Sequence, residues 1–210
     1  MTDIAKLAEI IDDATRTATL VPKLSKTSKL TVQEAYEIQA ASVTRRLARG
    51  DEMIGVKMGM TNASLHAQLG LDDAIFGRLT REMRVADGGD LKLIPRLSPR
   101  VEAEIVFLLK KPLSGPVSPA EAMSAVEAVA PAIEIIGTRY DDPSFTLVDA
   151  LADNVSAFGV CVGAWNKPDV DLSNLGMVLE LDGRVIQTGS SAALAGRCRR
   201  EAPSAYRFGG

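Results

Sequence analysis

Histidine and cysteine are scarce in this chain, which holds one histidine and two cysteines among 210 residues. Zinc sites are usually built from several His and Cys side chains at short spacings, and small disulfide scaffolds need a much higher cysteine density. His66, Cys161 and Cys198 have no partner at such a spacing. We therefore expect neither a zinc protein nor a disulfide scaffold. Both cysteines are interpreted as reduced residues without a functional role, and His66 as a surface or packing residue.

The chain also lacks an excess of basic residues and a long apolar run. It carries 24 Lys and Arg against 27 Asp and Glu, a formal net charge of -3, and only 4% aromatic residues. This balance argues against a nucleic-acid surface, which needs clustered positive charge. The N-terminus shows no basic stretch followed by an apolar segment, and no apolar run is long enough to cross a bilayer. We expect a cytoplasmic protein that binds neither nucleic acid nor a membrane.

The apolar content of 46% is enough to build the core of one domain. Apolar residues recur at helical spacing over 4–17, and two Ser/Thr-x-x-Glu capping boxes predict two further helices. Thr31 to Glu34 opens a helix at 32–48. Ser118 to Glu121 opens one that runs through Val126 and ends at Pro131.

Apolar runs rich in β-branched residues predict the strands. They cover 53–61, 100–109, 132–136 and 157–163, and a hairpin over 177–186 turns at Asp182-Gly183. Strands outnumber helices in this assignment. The sequence therefore predicts a mixed α+β class.

Three glutamates occupy these predicted strands. Glu102 and Glu104 are two residues apart, so both leave the same face of their strand. Two like charges that close need a cation or a proton between them, and carboxylate oxygens favour a hard divalent metal. Glu134 lies in the centre of a short apolar run, where an unpaired charge is costly. It is either a third ligand of the same cation or the ion-pair partner of Lys57 or Arg139, and the residues alone leave both interpretations open.

Other polar groups also carry two interpretations. Lys57 lies between Gly55 and Gly59 in an otherwise apolar run, either as a snorkelling side chain at a strand edge or as a functional cation. The segment 153–156 either forms a polar turn or binds a substrate. Asp72-Asp73 is more typical of a turn or a helix cap than of catalysis.

Four motifs occur in a fixed order along the chain: GVKMGMT at 55–61, VEAEI at 101–105, PAIEII at 131–136 followed by TRY at 138–140, and ADNVS at 152–156. In residue types and order they resemble the fumarylacetoacetate hydrolase-like family, over residues 30 to 194. The branch that holds 4-oxalocrotonate decarboxylases and 2-hydroxypentadienoate hydratases is the most similar. The Glu-x-Glu pair with its downstream glutamate is a specific part of this signature.

The resemblance implies the family's fold and cofactor. The fold would be the mixed β-roll or sandwich of the fumarylacetoacetate hydrolase C-terminal domain, with peripheral helices. A divalent cation, Mg²⁺ with Mn²⁺ as the alternative, would be held by Glu102, Glu104 and Glu134. Lys57 would serve as the acid/base or electrostatic group, and Ser156 would contact the substrate.

The activity that the resemblance implies is a carbon-carbon lyase reaction in the meta-cleavage catabolism of aromatic compounds. The enzyme would decarboxylate 4-oxalocrotonate (2-oxohex-3-enedioate) to 2-hydroxypenta-2,4-dienoate, because a 2-oxo acid can chelate Mg²⁺ through its carboxylate and 2-oxo oxygens. The alternative is 2-hydroxypentadienoate hydratase (2-keto-4-pentenoate hydratase), which would use the same chelate. The VKMGMT segment and Arg139-Tyr140 favour the decarboxylase. Expected partners are a small 2-oxo dicarboxylic acid, further copies of this chain and the sister enzyme.

The chain departs from the family pattern near its C-terminal end. The resemblance ends at Leu194, and the segment 195–210 reads as an atypical tail in place of the family's last strands. We expect a single catalytic domain over 1–194, with its helical part at 1–50. A shortened chain makes an inactive partner subunit a third hypothesis. Gly137 and Ala157-Phe158 also differ from the family pattern, and they alter the predicted substrate contacts.

Overall fold

The computed structural model describes residues 2–61 and 74–193. The helices are α1 (Ile4–Thr17), α2 (Val32–Leu47), α3 (Pro119–Ser124) and α4 (Leu147–Ala152). The strands are β1 (Met53–Gly59), β2 (Ile75–Thr80), β3 (Arg84–Val85), β4 (Arg100–Leu109), β5 (Val126–Ile136), β6 (Ala157–Val162), β7 (Gly176–Leu181) and β8 (Arg184–Ser190). His66, Asp72, Asp73, Cys198 and the tail 195–210 lie outside the described residues.

These strands form three sheets. β1 pairs with β2 and β7 pairs with β8, both antiparallel, and a four-stranded sheet has the order β3-β6-β5-β4 with β3 parallel to β6. The predicted mixed α+β class is confirmed. The chain groups into two compact units, the first of which comprises Met1–Gly59, Ile75–Glu102 and Ile133–Cys161. A single catalytic domain over 1–194 stays a prediction.

Side-chain caps begin the two long helices of the first unit, α1 and α2, where the sequence predicts. The Asp3 side chain accepts the Lys6 N–H at the start of α1, and Thr31 and Glu34 exchange both hydrogen bonds of a capping box at the start of α2. α2 packs against both α1 and α4. The buried apolar residues of these helices include Leu7, Ile11, Ile38, Val43 and Leu151. Within the described chain, no helix combines the length and the apolarity needed to cross a bilayer.

The third predicted helix is wrong in its extent. α3 begins with the capping box of Ser118 and Glu121 but ends at Ser124, and Val126 already opens β5. Pro131 therefore lies inside a strand and does not end a helix. Its carbonyl accepts the Gly163 N–H at 2.9 Å, which is the pairing that a residue without an N–H can still make. The β-branched residues of this segment favour the strand.

The other predicted strands are confirmed, with small shifts at their ends. β4 covers the predicted run 100–109, β6 ends one residue early and β1 ends at Gly59, before the predicted Thr61. The hairpin turns at Asp182 and Gly183, whose φ angles of 50° and 73° are both positive, as a type I′ turn requires. β2 and β3 are absent from the sequence assignment. Gly77 and Arg78 interrupt the apolar pattern of β2, and β3 has only two residues.

Arg139 and Asp153 form a buried ion pair in the first unit, so Arg139 is not the partner of Glu134. The guanidinium contacts the Asp153 carboxylate and its backbone carbonyl. It also donates to the carbonyls of Gly137 at 2.7 Å and Ala157 at 3.0 Å. Burial raises the pKa of Asp153, and the charge and hydrogen bonds of Arg139 oppose this rise. The pair fixes the chain just before and just after the segment 140–152.

Replacing Arg139 by Met should lower the free energy of unfolding by about 3–5 kcal/mol, because the Asp153 carboxylate would stay buried without its cation. The matched control is Arg81→Met, which removes the exposed ion pair with Glu52 and should leave unfolding nearly unchanged. Denaturant titration of both variants and the unaltered protein measures the two effects. Equal losses in the two variants would contradict a stabilising role specific to the buried pair.

Candidate metal centre

Two neighbouring strands of the four-stranded sheet bring three carboxylates together. Glu102 and Glu104 lie on β4, and Glu134 lies on β5. One oxygen from each of the three side chains lies within 4.8 Å of the others. Burial increases across the cluster, because Glu102 is exposed, Glu104 is half-buried and Glu134 is buried. The pleat places Glu102 and Glu104 on one face, as their spacing predicts.

Lys57 on β1 lies against this cluster. Its Nζ is 3.0 Å from Oε1 of Glu134, and both side chains are less than a tenth exposed. The same Nζ donates to the carbonyl of Val155 at 3.3 Å. The interpretation of Lys57 as a snorkelling side chain is therefore wrong, since its ammonium is held inside the protein by two oxygens. Between the two ion-pair partners considered for Glu134, the structure selects Lys57.

The cluster holds more negative charge than Lys57 can balance. With all four groups ionised, three carboxylates and one ammonium leave a formal charge of -2. Burial raises the pKa of Glu134, Lys57 opposes this rise by its charge and by hydrogen bonding, and the Glu102 carboxylate adds to it. Oε1 of Glu134 is buried, and beyond the 3.0 Å contact with Nζ of Lys57 it has no hydrogen-bond partner among the described residues.

These features fit a hard divalent cation. Magnesium prefers oxygen ligands at about 2.1 Å, so two ligands on opposite sides of one ion lie about 4.2 Å apart. The spread of 4.8 Å among Glu102, Glu104 and Glu134 is close to that value. An ion of charge +2 would balance the formal charge of -2. The carboxylate trio is thus able to hold Mg²⁺ or Mn²⁺, and its role as a ligand set stays a prediction.

Ser156 lies at the end of a turn beside Val155. Its Oγ is 3.5 Å from Oδ2 of Asp153, and its carbonyl accepts the Gly137 N–H at 2.8 Å. The side chain is half-buried. Among the contacts of the described residues, none joins Ser156 to Glu102, Glu104 or Glu134. The structure therefore places Ser156 next to the residue whose carbonyl holds Lys57, and its contact with a substrate stays a prediction.

Gly77 and Asn154 belong to the surroundings of Lys57. Sequence reasoning gave Gly77 no role and considered Asn154 only as part of the segment 153–156, which either forms a polar turn or binds a substrate. Gly77 pairs with Lys57 across β1 and β2. A Cβ at Gly77 would lie 2.6 Å from the carbonyl oxygen of Asn154, so only glycine fits there without a backbone shift. A glycine inside a strand pattern signals such a close approach. That signal becomes readable only once residues 75–80 are recognised as a strand.

Known proteins are similar to this chain in sequence and in fold. No protein-family model matches the chain. A 4-oxalocrotonate decarboxylase from a Pseudomonas species is 47% identical over 205 residues, which cover 98% of this chain and 80% of the relative. A 2-hydroxypent-2,4-dienoate hydratase from Pseudomonas putida is 36% identical over 182 residues, which cover 85% of this chain and 82% of the relative.

Solved structures give the same result. A 4-oxalocrotonate decarboxylase from Pseudomonas putida G7, complexed with magnesium and adipate, matches with a TM-score of 0.86 at 32% identity over 93% of this chain and 77% of that chain. A structure of the decarboxylase from the same source, complexed with calcium and acetate, matches with a TM-score of 0.83 at 33% identity, over 93% of this chain and 76% of that chain.

The chain therefore belongs to a family of lyases that act on small organic acids. Within that class it is a member of the group that holds the 4-oxalocrotonate decarboxylases and the 2-hydroxypentadienoate hydratases. This is the branch of the fumarylacetoacetate hydrolase-like family that the four sequence motifs indicate, so the recognition from sequence is confirmed.

Glu134→Gln should weaken Mg²⁺ binding by more than the about 10- to 100-fold that the loss of an outer-shell partner costs, because it removes the charge of a buried ligand. The matched control is Glu127→Gln on the same strand, where the side chain is exposed and outside the cluster. Calorimetric titration with Mg²⁺, or electron paramagnetic resonance titration with Mn²⁺, measures both variants. Unchanged affinity in Glu134→Gln would contradict a shared ion at this cluster.

As the pH decreases, magnesium affinity should begin to fall at a higher pH than it would for ligands with the ordinary pKa of glutamate. A metal binds the deprotonated carboxylate, and burial raises the pKa of Glu134. Protons therefore compete with the metal already above the ordinary glutamate value of about 4.3. Titrations at a series of pH values measure the apparent dissociation constant. An affinity that stays constant down to this ordinary value would contradict a ligand role for Glu134.

Proposed function

We propose that this chain is a magnesium-dependent decarboxylase, which converts 4-oxalocrotonate to 2-hydroxypenta-2,4-dienoate with release of carbon dioxide. The observation that carries the proposal is the trio of carboxylates with the buried Lys57 ammonium at its side. Supporting it, the solved decarboxylase with a TM-score of 0.86 is complexed with magnesium and with adipate. Adipate is a six-carbon dicarboxylate, as is 4-oxalocrotonate.

Each residue of the site has a proposed part. Glu102, Glu104 and Glu134 would hold Mg²⁺ through carboxylate oxygens. When bound, magnesium supplies a Lewis acid for the carboxylate and 2-oxo oxygens of a 2-oxo acid. Ser156 would contact the substrate from the turn next to Lys57.

Lys57 would stabilise the charge that develops at the 2-oxo end of the substrate. The bond between the distal carboxylate and its carbon breaks, the electron pair moves along the conjugated chain, and a proton is taken up at the 2-oxo oxygen. An ammonium has three N–H donors. Among the described residues, Glu134 and Val155 engage two of them. An N–H of this ammonium would donate to the substrate oxygen, where a preorganised charge lowers the barrier most.

Hydration of 2-hydroxypentadienoate is the second candidate activity. The observation that favours it is the hydratase relative at 36% identity, whose match covers as much of that protein as the decarboxylase match covers of its own. Both activities begin with a 2-oxo acid or its enol at a divalent cation. The metal ligands alone do not distinguish them, whereas the identity of the product does.

The finer fold and assembly are part of the same proposal. The strands would form the mixed β-roll of the fumarylacetoacetate hydrolase C-terminal domain, within one catalytic domain over 1–194. The protein would assemble with copies of itself or with the sister hydratase. Exposed apolar side chains on the β7–β8 hairpin support an assembly contact. They are Val178, Leu181, Val185 and Ile186.

The purified protein should consume 4-oxalocrotonate and release carbon dioxide only when Mg²⁺ or Mn²⁺ is present. Glu104→Gln should lower kcat/KM by at least about 100-fold, the loss expected when one preorganised electrostatic group is removed. Lys57→Met should lower kcat by about 100- to 10,000-fold, as for a lost acid/base group. Glu127→Gln is the matched control and should keep full activity.

Product analysis by mass spectrometry completes this experiment. Turnover that a chelator does not affect would contradict the metal-dependent mechanism. Water addition to 2-hydroxypentadienoate without decarboxylation would assign the chain to the hydratases. Absence of both activities in metal-loaded protein would favour the hypothesis of an inactive partner subunit.

A further inference from the structure

The turn that follows Asp153 has an unusual backbone. Asn154, Val155 and Ser156 are consecutive and have φ angles of 54°, 50° and 58°. Asparagine adopts this left-handed conformation more readily than other residues, whereas a β-branched residue such as valine rarely does. A backbone of this kind persists only where surrounding contacts hold it.

The side chain of Asn154 supplies the main contact. Its Nδ2 donates to the Arg78 carbonyl at 2.8 Å, and its Oδ1 accepts the Arg78 N–H at 2.7 Å. The amide thus pairs with both backbone groups of one β2 residue, as a neighbouring strand would. Asn154 is buried, so these two bonds are shielded from water. Together they fasten the turn to β2.

Two glycines allow the turn to approach the β1–β2 pair closely. A Cβ at Gly77 would lie 2.6 Å from the Asn154 carbonyl oxygen, and a Cβ at Gly59 would lie 3.0 Å from Cγ1 of Val155. Gly77 stands directly opposite Lys57 in the strand register. The turn therefore packs on the part of the β1–β2 pair that carries Lys57.

The result is a carbonyl directed at the Lys57 ammonium. Val155 O lies 3.3 Å from Nζ, while Glu134 Oε1 lies 3.0 Å from the same nitrogen. Glu134 comes from β5 and the carbonyl comes from the turn, so two separate parts of the first unit fix the ammonium. The direction of the Val155 carbonyl depends on the left-handed backbone that Asn154 holds.

We propose that Asn154 is a positioning residue for Lys57: its amide fastens the turn 154–156 to β2, so that the Val155 carbonyl orients the Lys57 ammonium. This inference rests on the proposed function for the role of Lys57 in decarboxylation. Asn154 acts through Lys57 and needs no contact with the substrate. A displacement of about 1 Å at a reacting group can cost about 100-fold in rate.

Asn154→Gly is the main test variant, because glycine adopts a positive φ without strain while the two amide hydrogen bonds are lost. We expect kcat to fall about 10- to 100-fold, with KM and Mg²⁺ affinity close to those of the unaltered protein. Asn154→Asp retains the shape and one acceptor but opposes a carboxylate oxygen to the Arg78 carbonyl, so it should lose kcat similarly. The control is Asn166→Ala, which replaces an exposed asparagine whose amide donates to the nearby Ala164 carbonyl, and this variant should keep its kcat.

A double-mutant cycle separates positioning from general damage. If Asn154 acts through Lys57, Asn154→Gly should not slow the Lys57→Met variant further. A merely structural role would slow Lys57→Met by the same factor as it slows the unaltered protein. Additive effects in the cycle would therefore overturn the proposal.

Trace acetylation of Lys57, followed by mass spectrometry, gives a measurement that needs no turnover. Lys57 should react faster in Asn154→Gly than in the unaltered protein or in Asn166→Ala, because the Val155 carbonyl would no longer be held against its ammonium. If the unaltered protein does not decarboxylate 4-oxalocrotonate, the proposed function fails, and the acetylation rate still tests the positioning. Unchanged acetylation of Lys57 would overturn the positioning role.

Discussion

The contact between Lys57 and Glu134 is the interaction on which the rest of the site depends. Burying an ammonium and a carboxylate is costly, and their attraction compensates only where further polar contacts satisfy both groups. Lys57 has a second oxygen in the Val155 carbonyl. Glu134 instead has another carboxylate beside it, and burial with the Glu102 charge raises its pKa. Among the residues that the structure describes, Glu134 therefore lacks a partner that balances its charge fully, and a divalent cation is the partner that would supply this balance.

The second buried ion pair of the first unit shows the contrast. Arg139 directs its guanidinium at the Asp153 carboxylate and at three backbone carbonyls, those of Asp153, Gly137 and Ala157. Its charge and its donors are matched by nearby oxygens, as in a structural pair. Asp153 and Asn154 then fasten neighbouring points of one segment, the first to Arg139 and the second to β2. The Arg139–Asp153 pair thus supports the turn 154–156, and the Val155 carbonyl of this turn contacts Lys57 of the other pair.

Local sequence signals predicted the parts of this fold that depend on near neighbours. Capping boxes located the starts of α2 and α3, and an apolar run located β4. The alternation of side chains along that strand then predicted the shared face of Glu102 and Glu104. The extent of α3 was wrong because Pro131 looked like a helix stop, while its carbonyl serves equally well in a strand. The partner of Glu134 is distant in sequence, so residue types left Lys57 and Arg139 equivalent. Val155 has a positive φ of 50°, which a β-branched residue rarely adopts, so no local sequence pattern predicts this conformation.

The position of Lys57 also bears on how the proposed ligands Glu102, Glu104 and Glu134 would serve either decarboxylation or hydration. In the proposed decarboxylation the distal carboxylate becomes neutral carbon dioxide, so a cation bound tightly to that carboxylate would stabilise the substrate more than the transition state. Charge is needed at the opposite, 2-oxo end, where electrons accumulate. Lys57 contacts Glu134, a proposed metal ligand, so in the proposed reaction it would lie at the 2-oxo end, which accepts electrons. Under this proposal the residues that face the leaving carboxylate would decide between decarboxylation and hydration, because the electron-accepting end would be common to both reactions.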